Sequence, residues 1–224
     1  MQDLVERVAE VRGRIAEAVR RGGHGQGVRL VAVTKTHGPE AVAAAQACGI
    51  EDVGENRVQE ALDKQAAVAV SVRWHLIGHL QRNKVKALDH FFLLHALDSR
   101  RLADAVNEHG QRRGRPVDAL VQVNVVGEAT KGGHELADVA REAERLVTMN
   151  GIRVIGAMTM APFDADEATL RRVFAGAREA RDALRAAGHP ATELSMGMSG
   201  DFEIAVEEGA TMVRLGTVLF GERH

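Results

Sequence analysis

The sequence has no tyrosine and a single cysteine, Cys48. One cysteine excludes an intrachain disulfide and favours a reducing compartment. Cys48 stands in the helical run AVAAAQACG, whose flanks supply neither a histidine nor a positive helix end to activate a thiolate. It reads as a small packing residue. No apolar run approaches the ~20 residues of a membrane span. The first residues, MQDLVERVAEVRGRIAEAV, lack the continuous apolar core of a signal peptide. These absences predict a cytoplasmic protein. A basic field is missing too: lysine and arginine number 29 against 31 acidic residues, which argues against a nucleic-acid partner. The densest basic patch, Arg82–Lys86, reads as the solvated face of a helix. There is no internal repeat, low-complexity tract or domain boundary.

What is present is a regular alternation. Leu4, Val8, Val11, Ile15 and Val19 recur every three or four residues and mark one face of an amphipathic helix. The glycine-rich Gly22–Gly27 ends it. That stretch precedes a strand and follows a helix, the reverse of a dinucleotide fingerprint, so it reads as a linker. Strand patterns follow at Leu30–Lys35, Asp52–Glu55, Trp74–Leu80, Phe91–Leu97, Ala119–Val125, Val154–Met160, Thr192–Met198 and Met212–Phe220. Helical patterns separate them at Pro39–Cys48, Val58–Ala67, Ser99–His109, Glu135–Met149, Asp166–Ala187 and Asp201–Glu208. Gly38-Pro39, Gly49, Gly110, Asp164, Gly188 and Gly209 punctuate the junctions. Strands alternating with helices predict a parallel sheet covered by helices. Eight units in a chain of 224 residues fit an α/β fold, a single (β/α)8 TIM barrel with an additional N-terminal helix. The expected layout is one domain over 1–224, with the helix at 1–21 and the barrel at 28–221. A doubly wound open sheet is the alternative.

Barrel enzymes work at the C-terminal ends of their strands. The loops after strands seven and eight there read Met196-Gly197-Met198-Ser199-Gly200-Asp201 and Gly216-Thr217. Glycines let backbone N–H groups approach an anion, and hydroxyls add donors, so the pair forms a candidate phosphate cradle. The plain alternative is two tight turns with Ser199 as an N-cap. Lys35 closes strand one on the same face as Val31 and Val33. In a barrel mouth its amine would be desolvated and partly neutral, able to attack an aldehyde; otherwise it snorkels to solvent. Arg214 lies in an apolar strand, either in a buried ion pair or as a donor to a cofactor ring nitrogen, which it would keep unprotonated. Weaker signals point elsewhere. His75 and His79 lack a carboxylate third ligand for a metal. Gly197–Asp201 misses the serine-hydrolase elbow by one position. Met158, Met160, Met196 and Met198 read as core near the mouth.

Longer segments carry a family resemblance: LVAVTKT, GENRVQEALDK, WHLIGHLQRNKVK, VQVNVVGEATKGG, GAMTMAP and ELSMGMSGDFEIAVEEGATMVRLGTVLFG. In this order, from Leu30 to Gly221, they resemble the pyridoxal phosphate homeostasis protein family. The resemblance implies a barrel like the N-terminal domain of alanine racemase, with pyridoxal 5′-phosphate (PLP) as cofactor. It implies that Lys35 is the Schiff-base lysine and Arg214 the ring-nitrogen contact. Ser199, Gly200, Gly216 and Thr217 match the phosphate positions. Asn56 matches a residue near the cofactor, and Lys131 a loop lysine. His37 stands where members vary between histidine and lysine. The implied function is intracellular PLP homeostasis without established catalysis, with PLP-dependent apo-enzymes as candidate partners. Alanine racemase uses a tyrosine as second acid/base and a second domain to complete its site. This chain has no tyrosine and is expected to end after strand eight. The alternatives are a PLP-dependent racemase or lyase acting on a small amino acid and, less favoured, a phosphate-ester enzyme without PLP.

Overall fold

The computed structural model of the chain describes residues 2–128 and 132–221. Among them, eight parallel strands close into a ring: β1 (Arg29–Val33), β2 (Asp52–Glu55), β3 (Arg73–Leu76), β4 (Leu93–Leu97), β5 (Val117–Asn124), β6 (Ile152–Met158), β7 (Glu193–Ser195) and β8 (Met212–Leu215). Each strand pairs with its sequence neighbour, and β8 returns to β1. The closing ladder sets Val31 beside Arg214 and Ala32 beside Leu215. A two-residue strand, His134–Glu135, extends the end of β5.

The helices are α1 (Gln2–Gly22), α2 (Pro39–Ala47), α3 (Val58–Ala67), α4 (Arg100–Arg112), α5 (Val139–Leu146), α6 (Glu167–Ala186), α7 (Phe202–Glu207) and α8 (Thr217–Phe220), with a 3₁₀ helix at Arg82–His90. Local signals explain the starts. Pro39 sits in the first turn of α2, where its missing N–H costs nothing. Ser99 and Asp166 accept the Leu102 and Thr169 N–H groups as N-caps of α4 and α6. Helix α1 buries Leu4, Val8, Val11 and Ile15, as its periodicity predicts, together with Ala18. It packs on α7 and α8. Arg14 donates to Glu203 at 2.9 Å, and Arg7 Nη1 donates to the Leu219 carbonyl at 3.1 Å.

Apolar side chains fall into two layers. The large one lies between strands and helices and includes Ala32, Val53, Leu94 and Val213. The small one fills part of the barrel interior with Val31, Leu93, Ala96, Leu120, Met158 and Met212. On β1 the split follows parity: Val31 faces in, Ala32 faces out.

Several boundaries differ from the expected ones. Strand β8 stops at Leu215, and Val218–Phe220 belong to α8. An apolar run does not itself distinguish a strand from a helix. Strand β3 stops at Leu76, short of the expected Leu80; Gly78 follows, packed against the Asn56 backbone where a Cβ would collide with the carbonyl. Strand β1 ends at Val33, leaving Lys35 in a turn. The helix expected at Glu135–Met149 is a 3₁₀ turn, Leu136–Asp138, followed by α5. Gly110 is not a junction; it lies inside α4, pressed against the Gly151 backbone. Met158 and Met196 are buried as expected, whereas Met198 is exposed.

Candidate functional site

Lys35 follows β1 in a turn and is half-buried. Its neighbour Thr36 has φ 67°, the left-handed region that a β-branched residue rarely adopts. A buried charged cluster on the outside of the barrel wall holds this turn. The Thr34 hydroxyl donates to Glu55 Oε1 at 2.6 Å. Lys64 Nζ donates to the Thr34 carbonyl (2.7 Å), Glu55 Oε1 (2.7 Å) and Glu60 Oε1 (2.8 Å). Glu60 Oε1 also accepts the Thr36 N–H at 2.5 Å. All three ammonium donors are therefore used, two of them on carboxylates. Helix α3 presents Glu60 and Lys64 one turn apart, which is why both reach the same turn. Burial pushes the Glu55 carboxyl up against the lowering effect of Lys64 and Thr34. Its second oxygen is buried without a hydrogen-bond partner among the described residues.

Arg214 is only 4% exposed. Nη1 donates to Ser195 Oγ at 2.5 Å and Nη2 to the Thr159 carbonyl at 2.9 Å. Both acceptors are neutral, and among the described residues no carboxylate pairs with it, so the ion-pair alternative gives way. Burial pushes the guanidinium down to about 10, opposed by Asp201, and it stays protonated at neutral pH. Of its five N–H donors, the remaining ones have no acceptor among the described residues.

The loop after β7 runs beside β8: Arg214 N–H donates to the Gly197 carbonyl at 2.9 Å. Ser199 does not cap α7. Its Oγ accepts the Val218 N–H at 3.2 Å and ties the loop to α8. Asp201 holds the loop by accepting the Met198 N–H at 2.6 Å. Helices α7 and α8 have six and four residues, too short for a strong helix dipole, so any anion-binding capacity here rests on local N–H groups and hydroxyls. Gly200 and Thr217 are exposed, and a Cβ on Gly200 would meet open space. Gly216 lies beside Val33, where a Cβ would come within 3.4 Å of the Val33 carbonyl. The ends of β1 and β8 thus bring Lys35, Gly216 and Thr217 to one part of the mouth. His37 packs on Phe220 of α8, with ring centroids 5.1 Å apart.

Asn56 is half-buried and lines a cleft of ≈ 970 Å³ with Thr36, Arg57 and His79. His75 and His79 do not share a site: His75 is inside the barrel and His79 is exposed at the mouth. His79 Nδ1 pairs with Asp98 Oδ2 at 2.5 Å. Lys131 lies outside the described residues. Sequence reasoning missed Lys64 and Glu60, which look like ordinary helix-surface charges. The signal was there in Glu60 and Lys64 at i and i+4 within GENRVQEALDK.

This geometry defines a (β/α)8 barrel with a basic, partly buried C-terminal mouth. The alanine racemase N-terminal domain family matches residues 8–224. At finer grain, the chain belongs to the pyridoxal phosphate homeostasis protein family. It is 42% identical over 222 residues to the protein of that name from Aquifex aeolicus, covering 97% of each chain. The corresponding Escherichia coli K12 protein is 35% identical, over 100% of this chain and 98% of its own. Among solved structures, PipY of Synechococcus elongatus PCC7942 with PLP bound is 36% identical, with a TM-score of 0.85 over 97% of this chain and 100% of its own.

Proposed function

We propose that the chain binds PLP at its C-terminal mouth, held as a Schiff base on Lys35, and serves intracellular PLP homeostasis without catalytic turnover. The observation that carries this reading is Arg214. A buried guanidinium with unfilled donors, in the same mouth as an amine, calls for an acceptor-rich ligand bearing an aldehyde. Bound PLP would supply an aldehyde for that amine and a ring able to withdraw electrons. The chain's own groups do the rest. Ser199, Gly200, Gly216 and Thr217 offer hydroxyls and unhindered backbone to the phosphate. Asn56, in the cleft next to Thr36, would approach the cofactor from the β2 side. Arg214 can only donate, so it keeps the ring nitrogen unprotonated and the ring a weak electron sink. That favours a tether over carbanion chemistry. The PLP-bound PipY relative and the homeostasis proteins at 35–42% identity support the same reading. The cytoplasm is the fitting compartment, and apo-enzymes that require PLP are the fitting recipients.

The test is the visible spectrum of the protein titrated with PLP. A Schiff-base band should appear and be trapped by borohydride in the wild type. Lys35→Ala should lose both. The same band in Lys35→Ala would sink the assignment.

One observation favours a second reading, a PLP-dependent racemase or lyase acting on a small amino acid. Asp98 orients the exposed His79, the arrangement of a general acid–base pair. Incorporation of deuterium at Cα of an amino acid in D₂O, at rates near the ~1 s⁻¹ lower end of ordinary turnover, would favour it. Loss of that exchange in His79→Gln would assign the pair.

A further inference from the structure

Barrel interiors are normally packed with layers of branched apolar side chains. Here a row of polar side chains from five strands crosses the interior. Asp52 on β2, His75 on β3, His95 on β4, Ser195 on β7 and Arg214 on β8 are all buried. His75 Nε2 lies 2.8 Å from Asp52 Oδ1, and His75 Nδ1 2.8 Å from His95 Nε2. His95 Nδ1 lies 2.8 Å from Ser195 Oγ, which accepts from Arg214. At the far end Arg73 donates to both Asp52 oxygens, at 2.8 and 2.6 Å.

The two ends fix the direction of every bond between them. An ionised carboxylate only accepts, so His75 Nε2 carries a proton. With His75 neutral, its Nδ1 accepts from His95 Nε2–H. His95 Nδ1 then accepts the Ser195 hydroxyl proton, which leaves the serine lone pairs to the guanidinium. The opposite sense would set a bare nitrogen against the Asp52 carboxylate unless His75 were an imidazolium. Burial opposes that. It is the leading cause holding both histidines below their ordinary value, outweighing Asp52 at His75 and aided at His95 by His75, Arg214 and Arg29. At Asp52 burial pushes upward, but His75 and Arg73 outweigh it and hold the carboxyl low. Arg29 also faces the row, 3.9 Å from Asp52 and 3.8 Å from Glu193, and Asp201 acts on Arg214 at the other end.

We propose that His75 and His95 are positioning residues for Arg214, fixing the guanidinium so that its free N–H groups meet an unprotonated heterocycle nitrogen in the mouth. The row holds Arg214 through neutral acceptors, and among the described residues no carboxylate hydrogen-bonds to it, so its unfilled N–H groups stay available to the ligand. This rests on the PLP reading above only for the identity of the ligand.

The test has an arm without ligand and an arm with it. In protein labelled with ¹⁵N-histidine, both residues should show the Nε2–H tautomer and a coupling across the His75–His95 hydrogen bond. Neither should titrate around the ordinary imidazole value of about 6.5. In ¹⁵N-arginine protein, the Arg214 guanidinium signals, identified by their loss in Arg214→Lys, should show hindered rotation. That hindrance should persist in His95→Gln, which keeps an acceptor and a donor in the row, and vanish in His95→Leu. In the second arm, His95→Leu should weaken PLP at least about tenfold, equivalent to ~1.4 kcal/mol. It should leave unchanged the binding of a PLP analogue with carbon at the ring-nitrogen position, and His95→Gln should restore PLP binding. An Nδ1–H tautomer, an imidazolium, free rotation in the wild type, or equal loss for PLP and the carbon analogue would overturn the proposal. A wild type that binds no PLP would instead overturn the functional reading, and the ligand-free arm would still decide the positioning claim.

Discussion

Outside the barrel wall, charges hold the turn that carries Lys35: one ammonium serves two carboxylates and a carbonyl. Inside the wall, one strand away, Arg214 is held by a hydroxyl and a carbonyl, with no carboxylate hydrogen-bonded to it among the described residues. The first arrangement satisfies the charges it buries. The second leaves a buried cation short of acceptors. A turn with a strained residue such as Thr36 must be held whether or not a ligand is bound. A recognition group must keep something to offer. On the proposed reading, the protein places structural charge behind the site and recognition charge in it.

Four measurements can break or sharpen that contrast. The largest effect should come from Lys64→Met, which leaves the buried Glu55 carboxylate without its cation, held only by the Thr34 hydroxyl, and takes one of two donors from the Thr34 carbonyl. Chemical denaturation should register a loss of about 3–5 kcal/mol. The double variant Lys64→Met, Glu55→Gln should recover part of it, because the buried charge goes as well. An additive result in that cycle would mean that no charged cluster holds the turn.

Arg214→Met should behave in the opposite way. Removing a buried cation without a carboxylate should leave ligand-free stability within about 1 kcal/mol of the wild type, or raise it. PLP binding followed by absorbance should weaken more than about tenfold. A large loss of stability with unchanged binding would reverse the roles assigned to the two regions.

Acid should separate the regions without mutation. His75 and His95 are lowered in the folded state, so the unfolded chain takes up their protons more readily. The stability they contribute is whole above about pH 6.5, the unfolded imidazole value, and is lost as pH falls towards their folded values. The melting temperature should therefore decline from that point downward, and His95→Gln should flatten the decline. The smallest effect belongs to Thr36→Gly. Relief of roughly 1–2 kcal/mol of left-handed strain is offset by ~0.5–1 kcal/mol of glycine entropy. Calorimetry should find a net gain of at most about 1 kcal/mol.

The barrel was legible because strand and helix patterns alternate with turn residues at their junctions. Asp52–Glu55 and Val58–Ala67 fall where the sequence predicts them. The eighth strand was overdrawn because Val218, Leu219 and Phe220 continue its apolar run past Gly216. In the site, Lys35 and Arg214 stood out as charges in apolar strands. The groups that hold them did not. Lys64 and Glu60 have helix-surface character until tertiary packing buries the lysine. His75 and His95 each look like an isolated core histidine. Strand parity held a usable signal: Asp52, His75, His95, Ser195 and Arg214 are polar residues on strands that are otherwise mostly apolar. Only the closed ring shows that β4 and β7 face each other, because their contact spans 100 residues of sequence.

Helix α1 bears on how sequence variants of this protein should be interpreted. Arg7 reaches across 212 residues of sequence to the Leu219 carbonyl of α8, the helix whose first turn carries Thr217 and takes the Ser199 bond. A substitution at Arg7 would look harmless to any survey confined to the mouth loops, since the residue belongs to the first helix. Yet it would loosen the floor on which half of the candidate phosphate cradle stands. Variants that impair cofactor retention should therefore be sought along the contact face of the first helix as well as around the ligand.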